Sequence, residues 1–92
     1  MNIEQIIRQH LEKHMDLTHI EIQDTTGKHV HHDQFTGGHH LSALIVSDTF
    51  ESVNLIERHQ LVYKALGDLI KNEIHAFSMR TYTQSEWNAH VT

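Results

Sequence analysis

Cysteine and proline are both missing from this 92-residue chain, and glycine occurs only four times. Without cysteine there can be no disulfide, no thiol nucleophile and no thiolate metal ligand from this polypeptide. A secreted domain of this size usually needs disulfides, so a cytoplasmic location is expected. No stretch approaches the roughly 20 apolar residues of a membrane-spanning helix, so no membrane partner is expected. The start, Met1 to Ile7, carries Glu4 and lacks the basic and apolar regions of a secretory signal. Basic residues are also few. Seven Lys and Arg against twelve Asp and Glu leave a formal charge of −5, which opposes general attraction to nucleic acid. The lack of proline, of repeats and of low-complexity stretches leaves no linker, and residues 1–92 read as one domain. A chain this short buries only about 60–65% of its unfolded surface, enough for one modest core.

What is present falls into periodic blocks. From Asn2 to about Met15, Ile3, Ile6, Ile7 and Leu11 recur at helical spacing between charged residues, which predicts an amphipathic helix. Thr18 to Asp24 alternates, with Ile20 and Ile22 on one side and Glu21 and Gln23 on the other, as a strand does. Asp24-Thr25-Thr26-Gly27 is turn chemistry, and Lys28 to His40 is a polar hairpin loop dense in histidine. Leu41 to Ser47 is an apolar run suited to a central strand. After a short connection carrying Phe50, Asn54 with Glu57 three residues on is a helix N-capping pattern. The helix that follows is expected to place Leu55, Ile56, His59, Val62, Tyr63, Leu66, Leu69 and Ile70 on one face. Ile74 to Tyr82 predicts a third strand, and Thr83 with Glu86 caps a short final helix carrying Trp87. The order helix-strand-strand-helix-strand-helix implies an α+β fold with a three-stranded sheet. The first two strands should pair antiparallel, with the third returning through the long helix and helices packed on one face.

Recognisable catalytic motifs are absent, while spacing alone does not exclude a Ser–His–Asp constellation. Gly37-Gly38 precedes a strand and lacks the Lys-Ser/Thr of a phosphate loop, and no serine sits in a nucleophile-elbow pattern. The chain is not expected to be an enzyme. Its distinctive feature is eleven histidines. His29, His31 and His32 cluster in the hairpin loop, with His39 and His40 at its far end, and imidazole is the commonest protein metal ligand. His10 and His14 lie four apart on the first helix, where solvated side chains are the plainer expectation. His59 falls on the apolar face of the long helix as a packed, hydrogen-bonded residue. His75 opens the third strand, with Phe77 and Met79 as its alternating neighbours. By spacing alone, His75 is as well explained by structure as by ligation.

Three separated blocks resemble the BolA family. They are Val46-Ser47-Asp48-Thr49-Phe50, Arg58-His59-Gln60-Leu61-Val62-Tyr63, and the run from His75 to Thr83 followed by Glu86-Trp87. His39-His40-Leu41 is similar to that family's entry to the second strand. The chain departs from the pattern at Ser52, where the family often has glycine, and in a longer hairpin loop. The resemblance implies a type II KH-like fold with a mixed three-stranded sheet. It also implies partnership with a monothiol glutaredoxin and a bridging 2Fe–2S cluster. The family's iron-ligating histidine falls on His75, and a loop residue supplies a second ligand. Counting from Asp24 points to His29 and counting back from His40 points to His31, with His32 ranked behind them.

A 2Fe–2S centre needs four ligands, usually thiolates. A chain without cysteine can contribute only imidazole, so the thiolates would come from a glutaredoxin cysteine and glutathione. Such ligation would raise the potential of the centre and make its assembly sensitive to pH, because a protonated histidine cannot ligate. An alternative implied by the family is a DNA-binding transcriptional regulator, for which Arg58, Lys64, Lys71 and Arg80 would supply phosphate contacts. The missing Gly-x-x-Gly clamp, the absence of a basic run and the acidic balance oppose strong binding. A third reading is simple divalent-metal storage by the loop histidines. Homodimerisation is left open by the sequence.

Overall fold

The computed structural model describes residues 3–24, 39–67, 69–72 and 74–91. The chain runs α1 (Ile3–Glu12), β1 (Leu17–Asp24), β2 (His39–Ser47), a 3-10 turn at Asp48–Phe50, α2 (Leu55–Leu66), α3 (Leu69–Asn72), β3 (Ile74–Tyr82) and α4 (Gln84–Val91). Strand β2 is central. It pairs antiparallel with β1 and parallel with β3, so the sheet is mixed, as the element order implied.

Register assigns the two faces of the sheet. Ile20 lies opposite Ile45, and Ile45 opposite Thr81, while Ile22, Ala43 and Met79 form the next row. This face carries the core, where Ile7 and Leu11 of α1 meet Val62, Ala65 and Leu66 of α2 over Leu41, Ala43 and Ile45. Helix α1 ends at Glu12, before the expected Met15. The Leu11 carbonyl accepts from both the His14 and Met15 amides at 3.0 Å, a tightened last turn. Met15 nevertheless packs into the core.

The opposite face has its own anchor. His19, Val46 and Tyr82 align across the three strands, and Trp87 of α4 stacks on His19 at 5.3 Å and tilts against Tyr82 at 5.6 Å. Helix α4 therefore covers the side away from α1 and α2, rather than joining them on one face. The reason is local. Tyr82 and Thr81 point to opposite sides, and the chain leaves β3 with its aromatic residues facing the outer row.

The long helix differs from expectation in two ways. It breaks at Gly67, whose φ of 55° lies in the left-handed region, and a separate short turn of helix follows. The Gly67 amide still donates to the Tyr63 carbonyl at 3.0 Å, closing the helix end. Its buried stripe is also rotated toward Ala65. Leu55 is 61% exposed and Ile56 71% exposed, because helical spacing records a shared face but not where the sheet beneath it stops. Asn54 does cap α2, accepting from the Glu57 amide at 2.9 Å and donating its own side-chain amide to the Glu57 carboxylate.

Candidate metal centre

The histidine-bearing end of the sheet is where β2 and β3 both begin. His39 pairs with Ile74 and His40 with Ala76, so the register shifts by one residue and His75 is the extra residue of a bulge. The bulge changes the alternation expected of this strand. Ile74 and Phe77 both contribute to the core although an odd number of residues separates them, which a regular two-residue period does not allow. Bulges re-aim side chains and are common beside functional sites. Asp24 lies opposite Leu41, so both ends of the 25–38 segment, Asp24 and His39, are rooted at this same end. His29, His31 and His32 lie outside the described residues. Among the described residues, no group of three or more potential ligands is assembled to hold a metal ion. The histidines rooted at this end, His39, His40 and His75, can offer imidazole nitrogen and no thiolate.

The other histidines separate into different roles. His10 Nδ1 lies 2.9 Å from the Ile6 carbonyl, and His14 sits beyond the end of α1, so the two do not share a helical face as a chelating pair. His59 is half-buried as expected, but its Nε2 is buried with no hydrogen-bond partner among the described residues. Its neighbours on α2 take two β3 carbonyls: Arg58 donates to Thr81 at 3.3 Å and Tyr63 to Phe77 at 3.4 Å.

Arg58, Lys64 and Arg80 of the nucleic-acid alternative do not form one patch. Arg58 is only 12% exposed at its side chain and is fully engaged. It donates to the Val53 carbonyl at 2.7 Å and to the Thr81 carbonyl, and holds Glu86 through two nitrogens at 2.8 and 3.2 Å. Its guanidinium also lies 5.8 Å from the centre of the buried Phe50 ring. This is a structural tie, and Arg58 is corrected from a phosphate contact to a clamp between α2, β3 and α4. Sequence spacing gave no sign of it, since Arg58 has no acidic residue three or four positions away. Lys64 is exposed on α2, Lys71 lies on α3, and Arg80 is exposed on the outer sheet face near Glu21, Gln23 and Ser42.

Among the described residues, Glu86 is the group whose acidity the fold shifts clearly. The Arg58 hydrogen bond, followed by the Thr83 backbone amide, lowers its pKa from 4.5 to about 2. The Thr83 amide donates to Glu86 at 2.8 Å and the Thr83 hydroxyl accepts from the Glu86 amide at 3.1 Å, a complete capping box for α4.

A mixed three-stranded sheet with two helices on one face, one on the other, and histidines at the shared start of two parallel strands defines a small α+β domain of KH-like type. Residues 11–86 match the family described as BolA-like protein. The chain belongs to the BolA family. It is 32% identical over 89 residues to the DNA-binding transcriptional regulator BolA of Haemophilus influenzae, an alignment covering 97% of this chain and 84% of that protein. Mouse BolA-like protein 2 is 31% identical over 81 residues, covering 88% of this chain and 85% of that one. The solved structure of BolA1 from Arabidopsis thaliana superposes with a TM-score of 0.79 at 32% identity, covering 94% of this chain and 96% of that one. These names describe a regulator and BolA proteins rather than enzymes. Among the described residues, no helix is long and apolar enough to cross a membrane.

Proposed function

We propose that this protein is a cytoplasmic adaptor that docks a monothiol glutaredoxin and co-ligates a bridging 2Fe–2S cluster, in iron–sulfur trafficking or iron and stress regulation. The observation that carries the reading is the bulge at His75. It stands beside the starts of β2 and β3, at the end of the sheet where the 25–38 segment is rooted. His75 would supply one imidazole and one of His29, His31 and His32 the other. The sequence has no sulfur donor of the thiolate kind, so the glutaredoxin cysteine and glutathione would complete the set. When bound, the cluster supplies redox-active iron with reduced negative charge, because neutral imidazole replaces thiolate. The role of this chain is to present neutral nitrogen donors on a stiff sheet end and to release them when protonated.

Mixing the protein with a monothiol glutaredoxin, glutathione, iron and sulfide tests the reading. The expected product is a heterodimer with visible cluster absorption, altered or lost in His75→Ala. An unchanged spectrum from that variant removes His75 from the ligand set. Tight binding of zinc or nickel by the isolated chain, unaffected by His75→Ala, would favour metal storage by the loop.

The name of the Haemophilus relative favours a second reading, DNA-binding regulation. Against it stand the net charge of −5, the engagement of Arg58 and the placement of Lys64 and Arg80 on opposite layers of the fold. A salt titration on duplex DNA separates the two. Specific affinity with a steep fall in log K against log salt supports DNA binding, and weak, shallow binding does not.

A further inference from the structure

Helix α2 reaches the backbone of β3 at two places. Among the described residues, Arg58 donates to the Thr81 carbonyl near the α4 end, and the Tyr63 hydroxyl donates to the Phe77 carbonyl at 3.4 Å near the histidine end. The Tyr63 ring also meets the Phe77 ring edge-on, with centres 6.5 Å apart and planes at 68°, a favoured aromatic geometry. The same residue closes its helix. The Tyr63 carbonyl accepts from the Gly67 amide at 3.0 Å, where the chain turns away toward α3 and β3. Tyr63 therefore ties the end of α2 to the start of β3, through its backbone on one side and its side chain on the other.

Phe77 stands two residues past His75. Pairing with β2 runs from Ile74 with His39 to Ala76 with His40 and Phe77 with Leu41, which leaves His75 out of the ladder. A residue outside the ladder takes its place from its neighbours. On one side Ile74 is seated in the core, only 3% exposed. On the other, Phe77 packs against the margin of the core, and Tyr63 grips it from outside. Tyr63 itself is 43% exposed. Water competes for both groups of an exposed hydrogen bond, so this one adds little net stability. What it supplies is position.

We propose that Tyr63 is a positioning residue for the metal centre, holding Phe77 and through it the bulge, so that His75 is the residue left unpaired. Without that grip the extra residue can shift along β3, and the start of the strand exchanges between registers. The consequence for a cluster rests on the adaptor reading, whereas the ordering of the bulge does not. Such support follows the general pattern in which donors are held by residues that do not themselves ligate.

Nuclear magnetic resonance of the free protein tests the local claim, on the wild type, Tyr63→Phe and Tyr63→Leu. The first variant removes the hydroxyl bond and keeps the ring, and the second removes both. The amide signals of Ile74 to Phe77 should be sharp in the wild type and broadened by microsecond-to-millisecond exchange in Tyr63→Phe, more so in Tyr63→Leu, with Thr81 and Trp87 unchanged. The urea midpoint of Tyr63→Phe should stay close to that of the wild type. Assembled with a monothiol glutaredoxin, glutathione, iron and sulfide, both variants should still form the cluster, because His75 is retained, and should release iron to a chelator about tenfold faster. Unchanged signals at 74–77 in Tyr63→Leu overturn the proposal, as does release from both variants at the wild-type rate. Broadening across the whole sheet, or a steep fall in the urea midpoint of Tyr63→Phe, also overturns it, because Tyr63 would then hold the fold rather than the bulge. A wild type that forms no cluster overturns the adaptor reading and the role at the metal centre with it, while the signals of the free protein still decide whether Tyr63 orders the bulge.

Discussion

The two ends of the β2–β3 pair are built to opposite rules. At the α4 end, a network of hydrogen bonds ties the chain reversal, although the buried Thr81 hydroxyl has no partner among the described residues. Arg58 joins three elements, Thr83 and Glu86 cap each other, the Ser47 hydroxyl accepts from the Thr49 amide, and Gln84 donates to Asp48. At the histidine end the register is broken by a bulge, and the chemistry-bearing residues converge where the strands start. The α4 end is held by internal hydrogen bonds, and the His75 end is where the proposed function places its donors. Sites built on rigid elements hold their donors more accurately than sites on loops alone.

The largest effect should come from attacking the tied end. Arg58→Ala leaves the Val53 and Thr81 carbonyls and the Glu86 carboxylate without their donor. A loss of about 2–4 kcal/mol in urea unfolding is expected, since breaking a buried charged hydrogen-bond network costs more than one ordinary bond. His75→Ala, measured in the same way, should change stability by less than about 1 kcal/mol while removing cluster assembly. If the two variants destabilise equally, the contrast between the ends is wrong.

Acid sharpens the same comparison. Glu86 has its folded pKa lowered to about 2 from 4.5. The unfolded chain therefore binds more protons between those values, and stability falls as pH drops through that window. Its contribution is complete above about pH 4.5 and gone below about pH 2. Glu86→Gln should be less stable than the wild type at neutral pH and should lose part of the acid-induced decline. Because the carboxylate is about half exposed, added salt should shrink the difference.

The smallest expected change is a gain. Ser52 has φ 60°, the one positive φ of a non-glycine residue among the described residues. The left-handed region costs an L-residue about 1–2 kcal/mol, partly offset by the greater unfolded freedom of glycine. Ser52→Gly should therefore stabilise by up to about 1 kcal/mol, readable as a small rise in Tm, without altering either end of the sheet. The position where the sequence departs from the family pattern is thus one where the backbone itself favours glycine.

Much of the framework was legible because it depends on neighbours in sequence. Asn54 with Glu57 and Thr83 with Glu86 read as caps, and both form, since a cap needs only residues one turn apart. The alternation of Ile20 and Ile22 with Glu21 and Gln23 also predicted which side of β1 meets the core. The His75 bulge was hidden, because a bulge is a mismatch between two strands and neither strand records it alone. The break at Gly67 was hidden too: a glycine at helical spacing is readable as tolerated or as terminal until the packing of Leu69 decides.

Amino-acid order alone determined the absence of thiolate chemistry, the acidic balance and the succession of helices and strands. These depend on composition and on periods of a few residues. Tertiary structure alone decided that Arg58 is a clamp rather than a phosphate contact, that α4 crosses to the outer face, and that α2 takes two carbonyls of β3. Each of those facts depends on residues brought together from more than a dozen positions apart, where hydrogen-bond geometry and steric fit choose among partners that local spacing leaves equal.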